Sequence, residues 1–554
     1  MDFPVIPPLL PDRTGRICYN SIVARNLRRL LMESGKGHGM GEDLALKKNK
    51  NALKSDKDRL YPSLICILLF ILTFCLSPFS PLYRYNFSPD EVCYKTISVG
   101  LLEGKAPYRD LFDHKGPLAY LVYALGFLVS GKANWGAWIV TYLCNAVAYF
   151  FTYKTMRLFR DKEHSFLTTL LLMVVTGFCL ENVLSNLSKP ENMLLAPLMV
   201  STYFLLKETF GNKEKEISHI SNRSMFIIGL MCGAVFMIKL NVCMLYFAFI
   251  GCYFLWLLIR KKFRIFFTNT GVFLGGIAAV CAPIVVFLTC INDLREFIDV
   301  YFIFNLKYSQ EGDGLFYLTK IVLTVPGKIS ITILLLITAL AIIRDHLKKE
   351  LNKQRIIMLV LAFLVFTVLT MPLVCTYFYI VFLPFYLYGA DCLASIFMLL
   401  ARDEVSRKQI PVMLIIIFTV SIIFQIIVAP YVPWKKTEEE RKVEAYGESH
   451  PDATVMYFDR ICAQMFSDYM PTIPDFRQFY VPPASNTDLI ADQKSLIANH
   501  NVDVVVFSNS TNAERDRSFH EYMKNNNYYQ YVAVTENPND EASQIFYMYV
   551  LNEA

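Results

Sequence analysis

The sequence predicts an all-α polytopic membrane protein followed by a small α/β domain, and three observations predict it. Hydrophobic residues supply 54% of the 554 residues and charged ones only 18%, whereas charge makes up about a quarter of an ordinary soluble domain. Apolar stretches of membrane-crossing length recur between residues 61 and 429, each near the roughly 20 residues that hydrocarbon demands. After Pro430 the composition turns to that of a soluble domain.

Residues 1–59 read as a basic cytoplasmic tail, with Arg13, Arg16, Arg25, Arg28, Arg29, Lys47, Lys48 and Lys50 and without the apolar core of a signal peptide. Asn20 to Met32 fits either a basic amphipathic helix on the membrane or a disordered tail, and Met40 is an alternative start. The net charge of +6 comes from Lys and Arg between apolar spans. It therefore reports topology, and no nucleic-acid partner is expected. Most of the fourteen cysteines lie in apolar segments, where they act as small hydrophobes. Their spacing offers neither a disulfide framework nor a metal site.

Residues 60–430 form the predicted transmembrane domain. About 11 spans qualify, near 61–80, 136–153, 164–183, 192–207, 224–239, 242–259, 267–290, 326–343, 355–373, 378–400 and 410–429. Basic clusters follow alternate spans, at Lys154–Lys162, Lys207–Arg223, Arg260–Arg264, Arg344–Arg355 and Arg402–Lys408. Positive charge stays on the cytoplasmic side. The amino terminus is thus expected in the cytoplasm of a plasma (inner) membrane protein, and residues 81–135, 185–191 and 292–320 outside. The apolar run Pro117–Ser130 would reverse every later connection if it crossed, so it is expected to lie along the outer surface.

Residues 431–554 are expected to form an outer soluble domain. Thr454–Phe458, Val502–Phe507, Tyr531–Val534 and Ile545–Val550 read as strands, with helical patterns near 487–499 and 513–525. No nucleophile elbow, phosphate loop or metal spacing occurs there.

The chemistry is expected in the first outer loop. Asp90 and Glu91 open a helical pattern continued by Tyr94, and Arg109, Asp110, Asp113, His114 and Lys115 follow, closed by Gly116-Pro117. An acid at a helix start also serves as a cap. Its place beside a second charged cluster at a membrane face favours function, because charge there is costly. Lys115 falls at headgroup depth, where a lipid phosphate sits. An acid to take a proton and a cation to hold a phosphate suit transfer from a lipid-phosphate sugar.

Ser88-Pro-Asp-Glu-x-x-Tyr94, the Gly100–Gly104 run and Tyr108-Arg-Asp-Leu-Phe-Asp-His-Lys-Gly-Pro-Leu118 together resemble the first outer loop of the GT-C polyprenyl-phosphate-sugar-dependent glycosyltransferases. The aminoarabinose transferase and protein O-mannosyltransferase branches are the most similar. The resemblance implies Asp90 as general base, Glu91 as its companion, Lys115 as the lipid-phosphate contact and Glu191 as a second acid. A proline-flanked Glu191 at a helix start serves equally as a dipole partner. His114 stands where the aminoarabinose transferases carry glutamate. Lys239 beside Asn241 fits the pattern or a snorkelling anchor; Tyr377 and Tyr379 fit it or an interfacial aromatic belt. Arg295 and Lys307 are further cations that no spacing selects.

The implied partners are a polyprenyl-phosphate sugar, the bilayer and an outer acceptor glycan, lipid or protein. No cofactor is required, and a divalent metal is left open. The rival readings are a lipid-linked glycan transporter or flippase, a polysaccharide ligase or polymerase, and a structural membrane protein. A transporter would carry ionisable residues in mid-membrane, where Asp391 is the main exception to spans nearly free of charge.

Overall fold

The computed structural model describes residues 60–77, 79–82, 89–131, 133–178, 189–210, 219–306, 381, 383–400, 409–416, 419–420, 422–423, 438–457, 495–508, 521–535 and 546–552. The expected spans at 326–343 and 355–373, part of 410–429, and the expected residues Tyr377, Tyr379 and Lys307 lie outside them.

Helices stand where apolar length called for them. They are α1 (Leu60–Leu76), α2 (Pro89–Leu102), α3 (Pro117–Ser130), α4 (Asn134–Met156), α5 (Lys162–Phe178), α6 (Pro190–Phe210) and α7 (Asn222–Ile238). A single 3-10 turn, Leu240–Cys243, leads into α8 (Met244–Ile259) and α9 (Phe263–Cys290). Among the described residues two segments are long and apolar enough to cross a membrane, Leu240–Ile259 and Phe263–Cys290, and shorter apolar helices accompany them.

Proline marks three of these starts, at Pro89, Pro117 and Pro190. Its fixed φ suits the first helical turn, and that position needs no N–H. Glycine lets the helices approach: a Cβ on Gly136 of α4 would stand 2.0 Å from the Gly126 carbonyl oxygen of α3, and one on Gly229 of α7 would stand 2.3 Å from Phe273 O of α9. Small residues at such crossings give close backbone packing, the main attraction between helices in lipid.

The stretch 292–320, expected as an outer loop after α9, begins with helical turns. A short helix, α10 (Leu294–Phe297), runs into π-helical turns at Ile298–Phe304. Further on, α11 (Leu383–Leu400) packs on α5 through Ala394 against Leu167 and Leu171.

Asp391 on α11, expected as a stray mid-span charge, is engaged. Arg160 donates to it through Nε at 2.9 Å and Nη2 at 2.7 Å, and His164 Nε2 lies 2.8 Å away. This bidentate pair ties α11 to the connection between α4 and α5.

The carboxy-terminal domain opens with a charged helix the strand pattern did not foretell, α12 (Glu438–Ser449). Its strands are β1 (Val455–Tyr457), β2 (Val504–Ser508), β3 (Tyr529–Thr535) and β4 (Phe546–Leu551), in the order β1-β2-β4-β3. β1 and β2 are parallel, whereas β4 runs antiparallel to both its neighbours. Met456, Val505 and Tyr549 from the sheet meet Ile497 and Met523 in one buried cluster, the core of the expected α/β layer.

Candidate active site

The site is assembled from the start of α2, the loop before α3, and the facing ends of α6 and α7. Asp90 and Glu91 occupy the first turn of α2; the Asp90 side chain lies outside what the structure describes. Glu91 is fully buried, and so is Tyr94 one turn on. The Tyr94 ring stacks on Tyr123 of α3 at 6.0 Å, the planes 7° apart. Tyr123 in turn feels the charges of both Glu91 and Glu191. Two acids distant in sequence therefore share one aromatic wall.

Lys115 approaches the same wall. Its Nζ stands 6.0 Å from the centre of the Tyr94 ring, 3.0 Å from His114 Nε2 and 3.7 Å from Asp113 Oδ1. Asp113 also accepts a 2.7 Å hydrogen bond from Tyr120 Oη. Burial works against its charged form, but Lys115, His114 and the Tyr120 hydroxyl outweigh burial and hold the carboxyl below its ordinary range. The Lys115 carbonyl accepts from Tyr108 Oη at 2.7 Å, and the His114 carbonyl accepts from Asn305 Nδ2 at 2.8 Å. The loop is thus held by its backbone as well as by its charges.

A second pair closes the site. Lys239, just beyond α7, donates to Glu191 at the start of α6. The Glu191 side chain is 1% exposed. Gly116 N donates to Ile238 O at 2.9 Å, so the residue after Lys115 is bonded to the residue before Lys239. The buried amide atoms of Asn241, in the 3-10 turn beside Lys239, find no hydrogen-bond partner among the described residues.

Gly116 is there because nothing larger fits. A Cβ at this position would lie 2.1 Å from the Met237 carbonyl oxygen. Gly116→Ala is expected to cost about 1–3 kcal/mol as overpacking, seen as a lower melting temperature of the purified protein. An unchanged melting temperature would show that this contact does not seat the loop.

Not every expected residue faces the site. Arg109, expected with the phosphate-binding group, spends its guanidinium elsewhere. Nε and Nη2 bond to Asp110 at 2.7 and 2.9 Å, and Nη1 bonds to Ile291 O at 3.0 Å. Arg295 lines a polar cleft with Arg109, Glu296 and Asp299. Among the described residues no group of three or more His, Cys, Asp or Glu is placed to hold a metal ion.

Sequence reasoning passed over Tyr120, Tyr123, Asp293 and Asn305, and gave Tyr108 no role of its own within the motif. Tyr120 and Tyr123 read as part of the apolar run Pro117–Ser130. Asp293 reads as an ordinary helix cap, yet its Oδ1 and Oδ2 accept from the backbone N–H groups of Arg109 at 2.7 Å and Tyr108 at 3.2 Å.

Residues 114–289 match the family model described as dolichyl-phosphate-mannose-protein mannosyltransferase. The match spans Lys115, Glu191 and Lys239. No curated protein matches the chain by sequence. Among solved structures, ArnT from Cupriavidus metallidurans in the apo state is 12% identical with a TM-score of 0.56, over 90% of this chain and 98% of that one. The same protein bound to undecaprenyl phosphate gives 12% and 0.54, over 89% and 98%. The apo oligosaccharyltransferase of Archaeoglobus fulgidus gives 12% and 0.50, over 81% and 69%. The chain therefore shares its fold with these solved structures, and over residues 114–289 it is similar to the mannosyltransferase family.

Proposed function

We propose that this protein is an inverting glycosyltransferase that moves a hexose or pentose from a polyprenyl phosphate to a hydroxyl of an acceptor outside the membrane. The observation that carries the reading is the convergence of Lys115 with buried Glu91 and with the Glu191–Lys239 pair around Tyr94 and Tyr123. The reading includes about 11 spans, a cytoplasmic amino terminus and an outer carboxy-terminal domain.

In this scheme the acceptor oxygen attacks the anomeric carbon as the bond from that carbon to the phosphate oxygen breaks. The hydroxyl proton passes to Asp90, with Glu91 beside it. The polyprenyl phosphate departs as an anion against Lys115. Fixed charge in a site shielded from water stabilises such a leaving group by several kcal/mol. The transporter reading is weaker, since Asp391, the charge that favoured it, is bonded to Arg160 and His164.

The test is to incubate the purified protein with polyprenyl-phosphate sugars and score free polyprenyl phosphate, with and without membrane extracts as acceptor source. Acceptor-dependent release supports the proposal. Binding of every donor with release from none would overturn it.

A further inference from the structure

We propose that Asp293 is a positioning residue for the phosphate-binding lysine, a role that rests on the function proposed above. Asp293 occupies the N-cap position of α10, where an aspartate ordinarily bonds to the second or third N–H of its own helix. It makes no such bond. Both its oxygens are given to Tyr108 and Arg109 instead, residues remote in the chain, and the residue is fully buried. A buried carboxylate diverted from its own helix onto another loop's backbone fixes that loop.

What it fixes leads to the site. Tyr108, held by its N–H at Asp293, donates its hydroxyl to the Lys115 carbonyl. The Tyr108 ring is wedged against Phe297 at 5.4 Å and Tyr120 at 6.2 Å, and Tyr120 bonds to the Asp113 that faces Lys115. The backbone of Lys115 is therefore reached through Tyr108, and its counter-ion through Tyr120.

Burial pushes the Asp293 carboxyl up to about 7, against the two backbone N–H groups that favour its charged form. Glu296 and Arg109 are the charged groups whose fields reach it, with Asp113 and Tyr301 acting on the neighbouring Tyr108. The carboxylate grips the two N–H groups fully above that value and less firmly below it. The same ionisation bears on stability with the opposite sign. A raised folded-state value means that the stability Asp293 contributes at low pH is lost as pH rises through about 7.

The experiment measures binding of undecaprenyl phosphate to the full-length protein between pH 5.5 and 8.5, in wild type, Asp293→Asn, Lys115→Ala and the double variant. The expected result is roughly tenfold weaker binding by Asp293→Asn at pH 8, the effect of one weakened hydrogen bond to a charged group. The gap narrows toward pH 5.5, and the substitution adds nothing once Lys115 is gone. A purely structural defect would lower affinity by the same factor in both backgrounds. That outcome, or equal affinity of wild type and Asp293→Asn at pH 8, overturns the proposal. Should Asp293→Asn not fold, Tyr108→Phe carries the same cycle. If wild type binds no undecaprenyl phosphate, the function itself has failed, and the role of Asp293 with it.

Discussion

Asp90→Asn is expected to cut sugar transfer by at least about a hundredfold while leaving undecaprenyl phosphate affinity unchanged, the loss typical of a missing general base. The amide keeps the shape of the carboxylate on the first turn of α2 but accepts no proton. Glu91 does not take over, because it is fully buried. Steady-state transfer measured beside equilibrium binding separates the two effects. Near-normal turnover in this variant would remove Asp90 from the mechanism.

Lys115→Met is expected to fail at both steps, with weaker binding of the lipid phosphate and transfer reduced about 10²–10³-fold, the range for removal of one charge-stabilising donor. The variant also leaves Asp113 buried with only His114 and Tyr120 for company. In the native protein that carboxyl lies below its ordinary range, so its stabilising contribution is present at neutral pH and lost as pH falls through the lowered value. Removing Lys115 shrinks the contribution, and the melting temperature should drop most at neutral pH and least in acid. Wild-type binding and turnover would contradict the role assigned to Lys115. A uniform shift in melting temperature across pH would place its effect outside the Asp113 pair.

Much of the helical framework was legible because length and hydropathy speak for themselves: the expected stretch 267–290 became Phe263–Cys290, and 224–239 became Asn222–Ile238. The loop was legible through its motif, and Glu191 and Lys239 were each singled out. Their pairing was not, since nothing local says that the ends of α6 and α7 meet; the bond from Gly116 to Ile238 is a tertiary fact.

Asp293 was hidden for a different reason. A local rule explains it adequately as a cap, and only the coordinates show that the rule is unused. Asp391 was legible as a charge within a span, but its partners Arg160 and His164 were not, because they come from a segment remote in the chain. In the carboxy-terminal domain the strands follow from β-branched and aromatic runs, whereas insertion of β4 between β2 and β3 depends on pairings no single strand encodes.

The most direct test of the account is an experimental structure of the protein with undecaprenyl phosphate bound. The account predicts the phosphate within about 3 Å of Lys115 Nζ, the length of a charge-assisted hydrogen bond, with the acids at the start of α2 facing the side from which the sugar is attacked. A phosphate seated elsewhere, with Lys115 still turned to Asp113 and His114, would contradict it.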